Sequence, residues 1–199
     1  MGGLFTMIKT ACAFTGHRPK SLSWGYDESA PGCVLLKEVL AAQISALAEQ
    51  GVTDFLSGMA QGVDLWCAQI VLDLKKKNPA LKLHANLPCE GQESKWSVSA
   101  REIYHSILEQ ADEVVYVGQE YSRGCMLERN RYMVDHSSIL LAVYNGAYRS
   151  GTGMTVRYAQ QLKKELYILD PVTREITHKP ANVDAVSSKK PVEIFPSMC

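Results

Sequence analysis

The chain alternates short apolar segments with segments of helical periodicity, and this alternation constrains the fold more than any other feature. Six apolar segments predict strands, at residues 8–14, 52–56, 81–87, 113–117, 138–144 and 166–169. Between them, apolar residues recur at helical spacing, and these helices are expected to end near residues 50, 77, 110, 136 and 163. Strands that alternate with helices are typical of a parallel sheet with helices on both faces. The sequence therefore predicts an α/β fold, a three-layer sandwich with a mainly parallel sheet.

Chain length and the position of the last predicted strand set the domain organisation. With 199 residues, the chain is long enough to bury one sizeable core. We predict one ligand-binding domain over residues 1–172. Residues 173–199 are polar and interrupted by prolines, with one apolar stretch at 192–195. We expect this tail to dock on the surface or to be only partly ordered.

The charge balance is neutral, with 21 basic and 21 acidic residues. It provides no general attraction to nucleic acid or to anionic lipid. No apolar run approaches the length of a membrane span, and the N-terminus has no signal pattern, so we expect a cytoplasmic protein without a membrane partner. The cysteines form no CxxC pair, which favours free thiols in a reducing compartment over a disulfide framework or a zinc site. They are Cys12, Cys33, Cys67, Cys89, Cys125 and Cys199.

Four loops of unusual composition follow predicted strands, at residues 15–19, 57–64, 88–96 and 145–153. In a parallel sheet, such loops all leave the edge formed by the carboxyl ends of the strands. Ligands of open α/β sheets bind in the crevice at that edge. The topology alone therefore predicts that these four loops converge on a binding site.

The loop at residues 57–64 is a strand-to-helix turn with two glycines. We expect Gly58 to adopt a backbone conformation closed to other residues, and Gly62 to make room for the close approach of another group. A turn of this kind presents free N–H groups at a helix N-terminus, where the helix dipole also favours an anion. The pattern therefore predicts a phosphate cradle. The alternative is a tight turn in which Asp64 serves only the first turn of its own helix.

The first loop places His17 and Arg18 directly after Thr15 and Gly16. An arginine offers a planar fork of donors suited to phosphate or carboxylate, and a histidine can donate, accept or stack on a base. A glycine before them clears room for a ligand. The alternative is that His17 caps a helix and Arg18 pairs with a surface acid.

The last loop repeats the phosphate-binding pattern of the glycine turn. Ser150, Gly151, Thr152 and Gly153 open a predicted helix and offer N–H groups and two hydroxyls. One glycine turn is weak support for a phosphate site, whereas two on strands of the same sheet favour a ligand with at least one phosphate.

Taken together and in order, the motifs of the chain resemble those of one family. The motifs are 14–19 (FTGHRP), 57–64 (SGMAQGVD), Pro88 with Gln92 and Trp96, 129–135 (RNRYMVD), and 144–146 (YNG) with 150–152 (SGT). This series, spread over residues 8–170, is similar to the YpsA-like family of the SLOG superfamily. The resemblance implies a Rossmann-like fold and a nucleotide-derived ligand, of the ADP-ribose or NAD type or a nucleoside phosphate, held by a sensor or binding protein.

The ligand-binding residues expected from the loops and from the resemblance form one set. They are Thr15, Gly16, His17, Arg18, Ser57, Gly58, Met59, Gly62, Asp64, Gln92, Trp96, Arg129, Asn145, Gly146, Ser150, Gly151 and Thr152. We expect the base to stack near His17 and Trp96, and the phosphates to lie on the amides of residues 57–62 and 150–153. No cofactor is required beyond this bound nucleotide or NAD-derived ligand.

A first relative of the family tests whether the ligand is turned over. The stretch with Met126, Glu128, Arg129 and Met133 resembles a motif of the lonely-guy phosphoribohydrolases, which release a base from a nucleoside monophosphate. Their next motif carries a glutamate, whose position here is Arg157 or Thr155 depending on the alignment. A carboxylate stabilises the positive charge that develops on the sugar, and an arginine opposes it. We therefore favour a binding protein over a hydrolase, although Asp64 or Glu128 remains a possible substitute for the glutamate. These relatives share an arginine region between subunits, so a homodimer formed around Arg129 and Arg131 is possible.

A second relative tests for a nucleic-acid partner. Residues 57–64 closely resemble the Ser-Gly-Leu-Ala-Arg-Gly-Ile-Asp motif of the DNA-processing protein A family, which binds single-stranded DNA. That activity needs a positive groove and stacking aromatics. Here the arginine of the motif is Gln61 and the overall charge is balanced. We therefore expect a nucleic-acid partner to be unlikely.

Overall fold

The computed structural model describes residues 10–118 and 120–181. Seven strands form in this part of the chain: β1 (Thr10–Gly16), β2 (Val52–Ser57), β3 (Lys82–Leu87), β4 (Glu113–Tyr116), β5 (Ile139–Val143), β6 (Glu165–Leu169) and β7 (Ile176–Lys179). Five α-helices lie between the first six strands: α1 (Pro31–Glu49), α2 (Val63–Lys75), α3 (Val98–Gln110), α4 (Cys125–Asp135) and α5 (Gly151–Gln161). The predicted α/β class is confirmed.

The strands form one sheet in the order β4-β3-β2-β1-β5-β6-β7. All neighbours are parallel except β7, which runs antiparallel to β6. The chain builds outward from β1 to β4 on one side and from β5 to β7 on the other. The direction of winding thus reverses between β1 and β5, and a crevice opens at such a reversal, at the carboxyl ends of the strands.

The two faces of the sheet are covered by different helices because successive side chains of a strand point to opposite faces. Phe14 of β1 belongs to a core with α1, α2 and α3, where its ring stacks on that of Phe55, with 5.8 Å between centroids. Its neighbour Ala13 belongs to a smaller core with α4 and α5, which includes Met133 and Val156. The predicted three-layer sandwich is therefore confirmed.

Three details differ from the sequence prediction. The helix α3 begins at Val98 rather than near residue 95, because Ser97 caps it by accepting a hydrogen bond from the amide of Ala100. Strand β7 was not predicted. It lies within the expected tail and pairs with β6, so the sheet extends beyond residue 172. The apolar stretch at 192–195 lies outside the described residues.

By length and composition alone, α1 could cross a membrane, which corrects the expectation that no apolar run reaches that length. One stripe of α1 is fully buried and packs in the larger core, as the core helix of a globular domain does. The residues of this stripe are Cys33, Leu36, Leu40, Ile44 and Leu47. The cysteines at 12, 33, 67, 89 and 125 are free and buried, as predicted, and Cys199 lies outside the described residues.

Candidate functional site

A cleft of about 190 Å³ opens at the carboxyl ends of β1 and β2, beside the first turn of α5 and one face of α4. It lies where the winding of the sheet reverses. Nine predicted site residues line it: Thr15, Gly16, His17, Arg18, Asp64, Arg129, Ser150, Gly151 and Thr152. The structure thus brings together three of the loops that the topology predicted to converge.

The floor of the cleft contains a buried pair of opposite charges. Arg129 of α4 and Asp64 of α2 are 2% and 6% exposed, and their Nη1 and Oδ2 atoms lie 3.9 Å apart. Burial raises the pKa of the Asp64 carboxyl, and the guanidiniums of Arg129 and Arg18 oppose that shift. Burial likewise lowers the pKa of Arg129, and Asp64 opposes this. Each charge therefore makes the burial of the other tolerable.

Arg129 also ties α4 to the glycine turn. Its Nη1 donates to the carbonyl oxygen of Gly58 and, at 3.4 Å, to that of Asn86. A Cβ atom at position 58 would lie 1.9 Å from Nη1 of Arg129 and 2.7 Å from Oδ2 of Asp64. Position 58 therefore needs glycine because a guanidinium passes beside it.

The two glycines of the turn exchange the roles that the sequence predicted. Gly58 is not among the described residues with positive φ, whereas Gly62 has φ = +94° and the non-glycine Met59 has φ = 55°. Gly62 thus supplies the unusual backbone conformation, although its Cα also approaches Pro19, whose Cδ would lie 2.9 Å from an added Cβ. Gly58 supplies the space.

Part of the predicted phosphate cradle is occupied by the turn itself. The Ser57 hydroxyl accepts a hydrogen bond from the amide of Met59 at 3.1 Å and donates to the carbonyl of Asp64. The Asp64 carboxylate accepts from the amide of Ala60 at 3.4 Å. Met59 and Ser57 are fully buried. The amides of Met59 and Ala60 therefore stabilise the turn itself. A phosphate in the cleft would have to use other donors.

Gly16 lies at the close approach of β1 to α2. A Cβ atom there would be 2.5 Å from Cβ of Val63, the first residue of α2. The sequence analysis assigned this glycine to making room for a ligand. Its backbone does line the cleft, but the absence of a side chain is required by the packing of strand against helix.

Free donors are concentrated on one side of the cleft. Arg18 is half-buried, and its guanidinium forms no hydrogen bond or ion pair within residues 10–118 and 120–181. Thr15 and Thr152 are buried at the cleft, and in the same residues neither hydroxyl has a partner. The Nε atom of Arg129 is buried and unpartnered as well.

The first turn of α5 presents its N-terminus to the cleft. Ser150 caps the helix, since its hydroxyl accepts a hydrogen bond from the amide of Gly153 at 3.0 Å. Gly151 and Thr152 lie between the cap and that amide and line the cleft. A helix N-terminus carries partial positive charge and unsatisfied N–H groups. The helix dipole, Arg18 and Arg129 together outweigh the single carboxylate of Asp64, so the cleft favours an anion.

His17 forms the wall between the cleft and the loop after β5. Its Nε2 lies 2.8 Å from Oδ1 of Asn145. Oδ1 also accepts from the amide of Ala147 at 3.1 Å, and the backbone amide of Asn145 lies 3.3 Å from the same Nε2 of His17. Burial lowers the pKa of His17, partly offset by the hydrogen bond with Asn145, so the neutral ring is favoured.

Asn145 and Gly146 line a second cavity, of about 450 Å³, on the other side of this loop. Its walls also include Tyr148 and Arg157, and it reaches the edge of β6 and β7. Eleven of the predicted site residues are thus divided between two cavities, which are both lined in part by the segment from Tyr144 to Gly153. Ser57, Gly58, Met59 and Gly62 line neither cavity.

Gln92 and Trp96 lie behind the glycine turn and do not line either cavity. Nε2 of Gln92 donates to the carbonyl of Met59 at 3.2 Å and approaches the hydroxyl of Tyr104 at 3.5 Å. Trp96 packs edge-on against Tyr104, with ring centroids 5.4 Å apart and an interplanar angle of 81°. Burial raises the pKa of Tyr104 to about 12. Trp96 is therefore a packing residue rather than the base-stacking residue that we expected.

Four residues of the cleft were absent from the predicted set: Ser21, Ala60, Met126 and Asn130. Met126 and Asn130 lie three residues before and one residue after Arg129 on α4. Helical spacing places Met126 on the same face as Arg129 and Asn130, so this pair could have been found once Arg129 was assigned. Nδ2 of Asn130 donates to Thr155 Oγ1 at 3.0 Å and so joins α4 to α5.

The carboxylate of a phosphoribohydrolase has no clear counterpart in the cleft. Thr155 is buried and donates its hydroxyl hydrogen to the carbonyl of Gly151. Arg157 lies outside the cleft, and Glu128 is exposed on α4. Asp64 is the one carboxylate among the residues that line it. In the part of the chain that the structure describes, no cluster of three or more His, Cys, Asp or Glu side chains could hold a metal ion.

Sequence comparison assigns most of the chain to one family. The model of the YspA SLOG family matches residues 12–175. A UPF0398 protein of Halalkalibacterium halodurans is 35% identical over 133 residues, which cover 66% of this chain and 70% of that protein. The SPbeta prophage-derived protein YoqJ of Bacillus subtilis is 34% identical over 159 residues, which cover 71% and 91% of the two chains.

Structural comparison finds the same fold in DNA processing protein A. The Helicobacter pylori protein, described for its single-stranded DNA binding mode, superposes with a TM-score of 0.55 at 20% identity. The Streptococcus pneumoniae protein superposes with a TM-score of 0.53 at 15% identity. Each match covers 81% of this chain but only 66% and 50% of those chains. The Rossmann-like fold predicted from the motifs is confirmed.

The buried charge pair makes a quantitative prediction about stability. Asp64→Asn leaves the guanidinium of Arg129 buried without a counter-charge. Arg129→Met leaves the carboxylate of Asp64 buried without one. Each change should lower the free energy of unfolding by about 3–5 kcal/mol. The double variant should lose less than the sum of the two, by about 1 kcal/mol or more, since neither charge is then unpaired. Urea denaturation at neutral pH measures all four proteins.

A matched control lies on the same helix as Asp64. Asp73→Asn removes an exposed carboxylate that pairs with Lys76, and it should cost less than about 1 kcal/mol. If the losses of Asp64→Asn and Arg129→Met add without coupling, the two groups do not stabilise each other and the assignment of a buried pair is wrong.

Proposed function

The chain belongs to the YspA SLOG family, and from that premise we propose that it binds a nucleotide-derived small molecule whose phosphate lies in the cleft. The observation that carries the proposal is the arrangement of charge. Two guanidiniums and the N-terminus of α5 face one carboxylate, and the side chain of Arg18 forms no hydrogen bond or ion pair among the described residues. The nearby carboxylate of Asp64 is already paired with Arg129, so the guanidinium of Arg18 is left free to bind an anionic ligand.

The donors fit a phosphate group in kind and in position. Arg18 offers a planar fork that binds phosphate oxygens in pairs. The helix N-terminus at Gly151 and Thr152 is a general site for such anions, because its N–H groups point outward and its dipole is favourable. The hydroxyls of Thr15 and Thr152 supply neutral donors beside them. The neutral imidazole of His17 offers a further polar contact for the sugar or base.

The nucleotide character of the ligand rests on the family and on the motif resemblance. We propose an ADP-ribose-like or NAD-like molecule, or a nucleoside phosphate, bound by a sensor or binding protein that needs no other cofactor. The cleft is smaller than the roughly 300–1,000 Å³ of ordinary ligand sites. It is suited to hold the phosphate end of such a molecule, and the rest would lie beyond it.

The binding test uses one cleft residue and its neighbour on the same loop. Small molecules released from the heat-denatured protein are identified by mass spectrometry, and AMP and ADP-ribose are titrated by calorimetry. Arg18→Ala should weaken binding by about tenfold or more, because it removes a charge-assisted hydrogen bond. Thr152→Val should weaken it less, and Lys20→Ala, an exposed cation two residues away, should leave it unchanged. Equal affinity in the Arg18 variant and the wild type would place the phosphate elsewhere.

We propose that the ligand is bound without hydrolysis. A stabilising carboxylate must be free to face the sugar, whereas the Asp64 carboxylate is committed to Arg129 and to the amide of Ala60. Incubation of the wild-type protein with AMP should therefore release no free adenine above the buffer control, as measured by chromatography. Steady release that disappears in Asp64→Asn would reverse this proposal and assign a phosphoribohydrolase.

Single-stranded DNA is the second candidate ligand, because proteins of the same fold include one described as binding it. The positive cleft is compatible with a phosphate of such a strand. Two observations favour the small molecule: the chain carries no net charge, and Gln61, at the position of the relatives' arginine, lies outside the cleft. We therefore rank single-stranded DNA after the nucleotide-derived small molecule as a candidate ligand and retain it as an alternative.

Salt dependence distinguishes the two candidates. A protein that neutralises six to ten DNA phosphates loses roughly a thousandfold or more in affinity between 50 and 200 mM salt. We expect a fluorescent single-stranded oligonucleotide to bind weakly or undetectably at 200 mM salt, and AMP binding to change little between the two concentrations. Tight oligonucleotide binding that persists at 200 mM salt would make DNA the primary ligand.

A further inference from the structure

The second cavity holds a pair of stacked side chains. The guanidinium of Arg157 lies 4.0 Å from the centroid of the Tyr148 ring, and its Nη1 donates to the carbonyl of Tyr148 at 2.9 Å. Tyr148 remains 69% exposed. One face of the ring is thus covered by a cation held in place by its own hydrogen bond, while most of the side chain is open to solvent.

This arrangement restrains the exposed ring of Tyr148. A stacked arginine restricts the side chain at a conformational cost that an isolated surface residue would not bear. Flat aromatic rings backed in this way are suited to stacking on a nucleobase, and such stacking accepts any base because every base has a π face.

The position of the ring relates it to the cleft. Tyr148 precedes Ser150, the cap of α5, by two residues, and two residues of chain span at most about 7 Å. The backbone of Tyr148 therefore lies close to the first turn of α5, where the phosphate is proposed to bind. The same loop carries Asn145, which His17 contacts from the cleft side and which lines the second cavity.

Two further observations call for such a platform. The cleft, at about 190 Å³, is too small to enclose a whole nucleotide. Trp96, the aromatic residue that the sequence suggested for the base, packs against Tyr104 instead. Tyr148 lines the second cavity, of about 450 Å³, and the following residues Ser150, Gly151 and Thr152 line the cleft.

We propose that Tyr148, backed by Arg157, is the platform on which the base of the ligand stacks, while the phosphate lies at Arg18 and the first turn of α5. This inference rests on the proposed function, and it assigns a role to Arg157, which one of the two alignments places at the position of the hydrolase glutamate. The ligand then crosses the rim formed by the loop from Asn145 to Ser150.

The test compares a ligand without a base and ligands with one. Calorimetric titrations use ribose 5-phosphate and four nucleoside monophosphates, against the wild type, Tyr148→Ala and Tyr148→Phe. The wild type should bind the monophosphates roughly tenfold or more tightly than ribose 5-phosphate, and Tyr148→Ala should remove that difference. Tyr148→Phe keeps the ring and should retain it. Tyr26→Ala, at another tyrosine of similar exposure (62%), is the matched control and should change neither affinity.

The outcomes separate the platform from the site itself. If Tyr148→Ala binds the monophosphates as the wild type does, while Arg18→Ala does not, the platform is wrong and the phosphate site stands. If Tyr148→Ala weakens ribose 5-phosphate as much as the monophosphates, the residue shapes the loop rather than contacting a base, and the platform is again wrong. If the wild type binds none of these compounds, this inference is wrong; if it also fails to bind ADP-ribose, the proposed function fails with it.

Discussion

The site depends on a guanidinium buried at the carboxyl edge of the sheet. Arg129 reaches from α4, on one face of the sheet, to the turn between β2 and α2, whose helix covers the other face. A buried cation must be paired and hydrogen-bonded, and Asp64 and the carbonyls of Gly58 and Asn86 meet that requirement. These partners in turn explain the local sequence, since glycine at 58 leaves room for the guanidinium. One interaction thus links both helical layers beneath the cleft.

The layout of the fold could be predicted from the sequence because it depends on periodicity. Apolar runs and helical spacing located six strands and five helices, and the topology of a parallel sheet placed the loops on one edge. The short strand β7 was missed because Ile176–Lys179 is exposed apart from the half-buried Ile176, so it carries little apolar pattern. Its formation depends on pairing with β6, which is a tertiary contact.

The cleft was predicted less completely than the fold, and the errors have a common physical origin. Motifs showed that positions 58, 62, 96 and 129 matter, but a motif does not say which neighbour each one meets. Gly58 was assigned a backbone role that belongs to Gly62, because both requirements produce the same residue type. Trp96 was assigned to the ligand, yet it packs on Tyr104, since an aromatic after a strand can face either the crevice or the core. Contacts between distant segments decide such cases.

The same buried pair determines which charged groups of the cleft are available to a ligand. Asp64 neutralises Arg129, so these two groups contribute structure, and the charge available to a ligand is that of Arg18 and the N-terminus of α5. Both lie on the β1–β5 side of the cleft, where His17 and Asn145 also meet. A ligand that binds there contacts a loop from each half of the sheet, from β1 and from β5. Asn130 joins α4 to α5 through its hydrogen bond to Thr155. A phosphate that moves the first turn of α5 would therefore also act on the position of α4. In this arrangement the turn at residues 57–64 supports the cleft, and the loops after β1 and β5 are those to which we assign ligand binding.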